Sequence, residues 1–141
     1  MLCLVGSPLT TAGYKRAGDL MRKLRNHGIR KIYVTDARRS QLTADSLRIR
    51  LNIDTVHYTA NNYDKLLQSI QTHHDANRNI LIIAHSNTIP KIILKLGVLD
   101  YPQNDIDEWQ FDNLFLVTFN GGIAKVKKAK YGVKSIKPAT P

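Results

Sequence analysis

Residues 79–97, NILIIAHSNTIPKIILKLG, constrain the chain more than any other stretch. Ile80, Leu81, Ile82 and Ile83 form an unbroken apolar run of the kind found in strands buried on both faces. His85 follows, and Ser86, Asn87 and Thr88 offer N-cap oxygens for a helix. That helix places Ile89, Ile92, Ile93 and Leu96 along one stripe, tolerates Pro90 in its first turn and stops at Gly97. A buried strand, a turn holding an imidazole, then a helix N-terminus is where open α/β sheets receive ligands. The free N–H groups of that terminus favour an anion.

The other elements alternate in the same way. Residues 1–5 read as a stub of strand, followed by a loop at Gly6-Ser7-Pro8. A helix capped by Thr10 or Thr11 carries Ala17, Leu20, Met21 and Leu24 on one face and ends at Gly28. Residues 29–35 suit a strand, residues 36–40 a turn, and residues 41–51 a helix packed through Leu47 and Leu51. A short extended piece at 55–58 precedes a helix from Tyr63 with Leu66, Leu67 and Ile70 inward. His73 and His74 close that helix; neighbouring histidines point apart on a helix, a poor chelate, so no metal is expected. After an acidic connection over 98–111, residues 114–119 make a buried strand. Asn120-Gly121-Gly122 signals a hairpin whose second arm, residues 123–131, is a lysine-bearing edge strand. The predicted fold is α/β: three layers, α/β/α, with a mainly parallel sheet, a first strand truncated or shortened, and a C-terminal β-hairpin. Residues 1–133 form one domain and residues 134–141 a flexible tail.

Composition narrows the function classes. A hydrophobic share of 43% fits a globular core, and no apolar run approaches the ~20 residues that cross a bilayer, so no membrane is expected. Residues 1–5 are too short for a secretory signal, and a lone Cys3 excludes an internal disulfide and a multi-cysteine zinc site. A reducing, cytoplasmic setting is the expectation. The net charge of +10 raises nucleic acid as a partner. However, six lysines lie after residue 124, most other cations decorate helix faces, and no aromatic-interleaved or helix-turn-helix pattern is visible. A solvated basic surface is the simpler reading, and nucleic acid is not the expected partner.

In a parallel sheet the turns at 36–40 and 85–88 share the carboxyl edge, so Arg39 and His85 can converge. A guanidinium, an imidazole and helix N-terminal amides make a receptor for a phosphate dianion. Taken singly, such an arginine is usually a surface group and such a histidine usually structural.

Four blocks then carry a resemblance. They are Pro8-Leu9-Thr10-Thr11-Ala12-Gly13 with Arg16-Ala17; residues 32–44, IYVTDARRSQLTA; Ala84-His85-Ser86-Asn87-Thr88; and Asp112-Asn113-Leu114-Phe115-Leu116-Val117 with Tyr131-Gly132. In this order they resemble the histidine phosphatase superfamily, the phosphoglycerate-mutase-like fold, and especially its short branch with the phosphohistidine phosphatases. The resemblance implies a two-histidine, arginine-lined phosphate site without metal or organic cofactor. One histidine attacks phosphorus; the other and the arginines stabilise charge on the transferring group. It assigns Arg39 and His85 to catalysis and phosphate binding and places Asn87 beside the anion, with Arg38 as a rim charge. The implied partner is a phosphorylated small molecule or a phosphoprotein.

One block is missing. The superfamily carries its nucleophile in an R-H-G or R-H-A tripeptide after the first strand, where this chain has Leu4-Val5-Gly6-Ser7-Pro8. Arg25-Asn26-His27-Gly28 reads as a helix end instead, and the general acid has only Asp54, His57 and Asp64 as candidates. Either the start is internal to a longer chain, or the loop was lost and the chain is a degenerate pseudophosphatase. Little or no turnover is expected from these residues. The alternatives are a non-catalytic phosphate- or phosphoprotein-binding module and, on charge alone, a nucleic-acid-associated protein.

Overall fold

The computed structural model describes residues 1–6, 13–73, 78–104, 106–107, 110 and 112–132, with the side chains of 13 and 14 left aside. Its strands are β1 (Leu2–Gly6), β2 (Lys31–Val34), β3 (Thr55–His57), β4 (Ile80–Ala84), β5 (Asn113–Asn120) and β6 (Ile123–Lys130). Its helices are α1 (Gly13–Leu24), α2 (Arg38–Leu51), α3 (Tyr63–Thr72) and α4 (Ile89–Lys95). The strands form one six-stranded sheet in the order β3-β2-β4-β1-β5-β6. The first four run parallel; β5 pairs antiparallel with β1, and β6 with β5.

The two all-buried strands, LCLVG and ILIIA, lie side by side at the centre. Alternate residues divide them between two cores. Cys3, Val5, Leu81 and Ile83 meet Leu20 and Leu24 of α1 and Ala44 and Leu47 of α2. Leu2, Leu4, Ile80, Ile82 and Ala84 meet Leu66 and Ile70 of α3 and Ile89, Ile92 and Ile93 of α4. Helix pairs α1–α2 and α3–α4 therefore cover opposite faces, as the alternation of elements requires.

Read from sequence as a stub, β1 holds a central place in the sheet. It runs five residues and pairs with β4 from Leu2↔Ile80 to Gly6↔Ala84, while its other edge takes β5. The hairpin is as expected, with Gly121 and Gly122 at φ 59° and 82°, the double positive φ of a two-residue turn matching strand twist. α2 starts at Arg38 rather than 41, because Ser40 N–H already bonds the Ala37 carbonyl and draws Arg38 and Arg39 into the first turn. Asn52 closes α2 in the left-handed region, its N–H on the last carbonyls. The expected Thr10 or Thr11 cap, the rest of the PLT block, His74 and the 134–141 tail lie outside the described residues.

After β6 the chain turns through Gly132 at φ 67°, pressed against α1. A Cβ there would stand 2.7 Å from Asp19 Oδ2, so both conformation and space demand glycine. Gly132→Ala is expected to cost about 1–3 kcal/mol in urea denaturation, because the strain adds to the clash.

Candidate phosphate site

Each side chain of interest follows the carboxyl end of a parallel strand. Val34 leads to Thr35 and the first turn of α2; Ala84 leads to His85 and the turn into α4. β2 and β4 are neighbours, so these two turns adjoin. Arg39 Nη2 lies 3.4 Å from His85 Nδ1, and Thr35 Oγ1 lies 3.3 Å from His85 Nε2. The two residues singled out from sequence are thus in contact across 46 positions of chain.

Both turns are braced from beneath. Thr35 N–H donates to the buried Ser40 hydroxyl at 3.1 Å, and Thr43 Oγ1 donates to the Arg39 carbonyl at 2.8 Å. Of the three candidate caps Ser86, Asn87 and Thr88, Thr88 stands at the N-cap of α4, but its hydroxyl makes no capping bond. Instead it accepts from His85 N–H and donates to the His85 carbonyl, both at 3.1 Å. The Thr88 and Ile89 amides also bond that carbonyl, at 2.9 and 3.0 Å. Hydroxyl and helix together fix the backbone that carries the imidazole. Asn87 stands exposed in the same turn, as does Arg38 at the start of α2.

Among the general-acid candidates, His57 alone is brought toward this edge. It ends β3 opposite Val34, with Nδ1 3.0 Å from Asp36 Oδ1. Asp54 precedes β3 at the opposite edge, and Asp64 is ion-paired with Lys95 at 3.3 Å. A cleft of about 280 Å³ opens beside His57, between α2 and β3, lined by Gln41, Asp45, Arg48 and Thr55. His27 lies in the turn after α1, where Asn79, just before β4, donates to its carbonyl. That is the amino edge, roughly 15 Å from His85 at 3.3 Å per strand residue. The R-N-H-G sequence is a helix end, as read. Among the described residues no group of three His, Cys, Asp or Glu could hold a metal ion.

Burial, and then the Arg39 guanidinium, hold the His85 pKa below its ordinary 6.5. Among the described residues, Arg39 of α2 is a charged group in contact with it, and the Asp36–His57 pair lies one strand outward. An unfolded chain takes up the His85 proton near 6.5, the folded chain only at lower pH. Stability therefore falls as pH drops below 6.5, where the unfolded state binds more protons. Comparing urea midpoints at about pH 7.5 and about pH 5.5, His85→Gln is expected to lose less on acidification than the wild type.

Residues 4–61 match the family model described as histidine phosphatase superfamily (branch 1). No curated protein matches the chain. Solved structures do. SixA from Agrobacterium tumefaciens, a candidate phosphohistidine phosphatase, superposes with a TM-score of 0.68 at 15% identity, covering 93% of this chain and 97% of its own. The α-ribazole phosphatase from Shigella flexneri gives 0.67 at 14% identity, with 99% of each chain covered. The chain carries the histidine phosphatase fold. A phosphoglycerate mutase from Plasmodium falciparum gives 0.61 at 14% identity, covering 99% of this chain and 94% of its own. At these identities the shared property is the fold, while the sequence resemblance to the superfamily covers β1 through β3. No described helix of this histidine phosphatase fold is long and apolar enough to cross a membrane.

Proposed function

We propose that this domain binds the phosphoryl group of a phosphomonoester or phosphohistidine between Arg39 and His85, with Asn87 beside it. The observation that carries the reading is the 3.4 Å approach of Arg39 Nη2 to His85 Nδ1 at the carboxyl edge of a histidine phosphatase fold. A fixed guanidinium supplies two parallel N–H donors to phosphate oxygens. A dianion beside His85 reverses the effect of burial, so the imidazole gains a proton and becomes a second donor. The α4 N-terminus adds a partial positive charge from below.

Such a site stabilises negative charge on a transferring phosphoryl group. The superfamily's nucleophilic histidine belongs to the segment after β1, where this sequence reads Gly6-Ser7-Pro8. The 141 residues are therefore proposed to bind phosphate and to turn over phosphate esters slowly or not at all. The test pairs two measurements, vanadate binding and 4-nitrophenyl phosphate hydrolysis, on the wild type and on an Arg39→Ala/His85→Ala double variant. Binding lost in the double variant, with hydrolysis at background in both, is the expected result. Hydrolysis that survives the double substitution contradicts the assignment.

A further inference from the structure

We propose that the outer edge of β6 is a docking site for an extended acidic segment of a partner protein, which joins the six-stranded sheet as a further strand. The two edges of the sheet differ. β3 has three residues, short enough to offer little to another chain. β6 has eight, IAKVKKAK, without proline or glycine, and every residue from Ile123 to Lys130 pairs with β5 without a bulge. Among the described residues β5 is its only strand partner. The turn at Gly121-Gly122 makes Asn120 and Ile123 a hydrogen-bonded pair, so bonding alternates from there along the ladder. Ile123, Lys125, Lys127 and Ala129 therefore bond inward to β5. The N–H and C=O groups of Ala124, Val126 and Lys128 point outward, a row that another strand can pair with.

Charge decides which strand. Lysines on an edge repel a second copy of the same edge and so guard against self-association. The same lysines complement an acidic strand. Lys128 and Lys130 are turned onto their own sheet. Lys128 Nζ lies 5.7 Å from the centre of the Phe115 ring, and Lys130 Nζ meets Asp112 Oδ1 at 3.3 Å and the Asn113 side-chain oxygen. Lys125 and Lys127 stand exposed on the other face, opposite Thr118 and Leu116, so no carboxylate meets them across the pair. They are two residues apart, the period at which side chains of an added strand share a face. Acids at every second position of that strand lie beside both. Ile123, 62% exposed on the same face, adds an apolar contact at the end of the row. The net charge of +10 favours the approach of such a segment. This surface is independent of the phosphate site, since β1 and β5 separate β6 from β4.

The test is amide hydrogen exchange of the 141-residue chain, read by NMR at low salt, with peptides as long as β6. The first alternates glutamate and threonine, and the second has lysine for glutamate. The third is the first with a central proline, which breaks the ladder. The glutamate peptide is expected to bind saturably and to slow exchange at Ala124, Val126 and Lys128 about tenfold. The other two should leave those amides unchanged. Lys125→Glu/Lys127→Glu, a change confined to exposed side chains, is expected to weaken the glutamate peptide about tenfold and to admit the lysine peptide. Failure of the glutamate peptide to bind overturns the proposal. So does equal binding of the proline peptide, which would mean charge without strand pairing, or a charge-reversed variant that keeps the wild-type preference. Slow exchange at the three amides in the free chain overturns it too, because the edge is then already occupied, by a second copy if the protection depends on concentration and by this chain itself if it does not.

Discussion

Arg39→Ala is expected to weaken sulfate or vanadate binding about a hundredfold without destabilising the domain. A hydrogen bond to a charged group contributes about 1.5–3 kcal/mol, and a bidentate guanidinium makes two. Arg39 is exposed on the first turn of α2, so its truncation opens no cavity. The backbone beneath it is held independently by Thr43 Oγ1 on its carbonyl. Arg39→Lys separates charge from geometry: an ammonium keeps the field but loses the fork, so it should recover only part of the affinity. Arg38→Ala is the matched control, exposed one residue earlier, and should change affinity by less than about threefold. Isothermal titration of the three variants checks all of this.

The largest expected loss of stability lies in β1, the strand that reads as a stub in the sequence. Leu4 of β1 is fully buried, pairs in register with Ile82 on one side and Phe115 on the other, and belongs to the α3–α4 core. Leu4→Ala removes three methylene-sized groups and leaves a void among side chains fixed by two neighbouring strands. The cost is expected to be about 3–5 kcal/mol in urea denaturation, the upper part of the range for such truncations. Were β1 a loosely attached stub, the cost would be under about 1 kcal/mol. Among the described strands β1 is the only one flanked by a parallel and an antiparallel partner, joining the two halves of the sheet.

The sequence was most legible where hydrophobic patterning and chemistry coincide. The run Ile80–Ala84, the stripe on α4 and the glycine stop at Gly97 (φ 111°) are each local signals, and each appears in the fold. Arg39 and His85 could be paired in advance because parallel strands put both following turns at one edge, a consequence of topology alone. β1 was harder to read. Its five residues carry too short a pattern to weigh, and only the register with β4 and β5 shows its place.

The missing side-chain cap on α4 has a general cause. A Ser, Thr or Asn before a helix can bond the helix N–H groups or other backbone nearby, and the sequence does not say which. Thr88 chose the His85 backbone, and the Ser40 hydroxyl took Thr35 N–H. Thr35 itself gave no signal, because a threonine ending a strand satisfies β-propensity without further meaning. The Asp36–His57 pair was equally hidden, since its members are separated by 21 residues and meet only through the β2–β3 register.

Both turns of the site bear backbone amides that report directly on an anion, which makes amide chemical-shift mapping with sulfate the decisive measurement. Saturable shifts are expected at residues 35–40 and 85–88 together, at one common affinity, and they should vanish from both turns in Arg39→Ala. Shifts confined to the neighbouring cleft of Gln41, Asp45, Arg48 and His57, or to the lysine-bearing strand β6, would contradict the account.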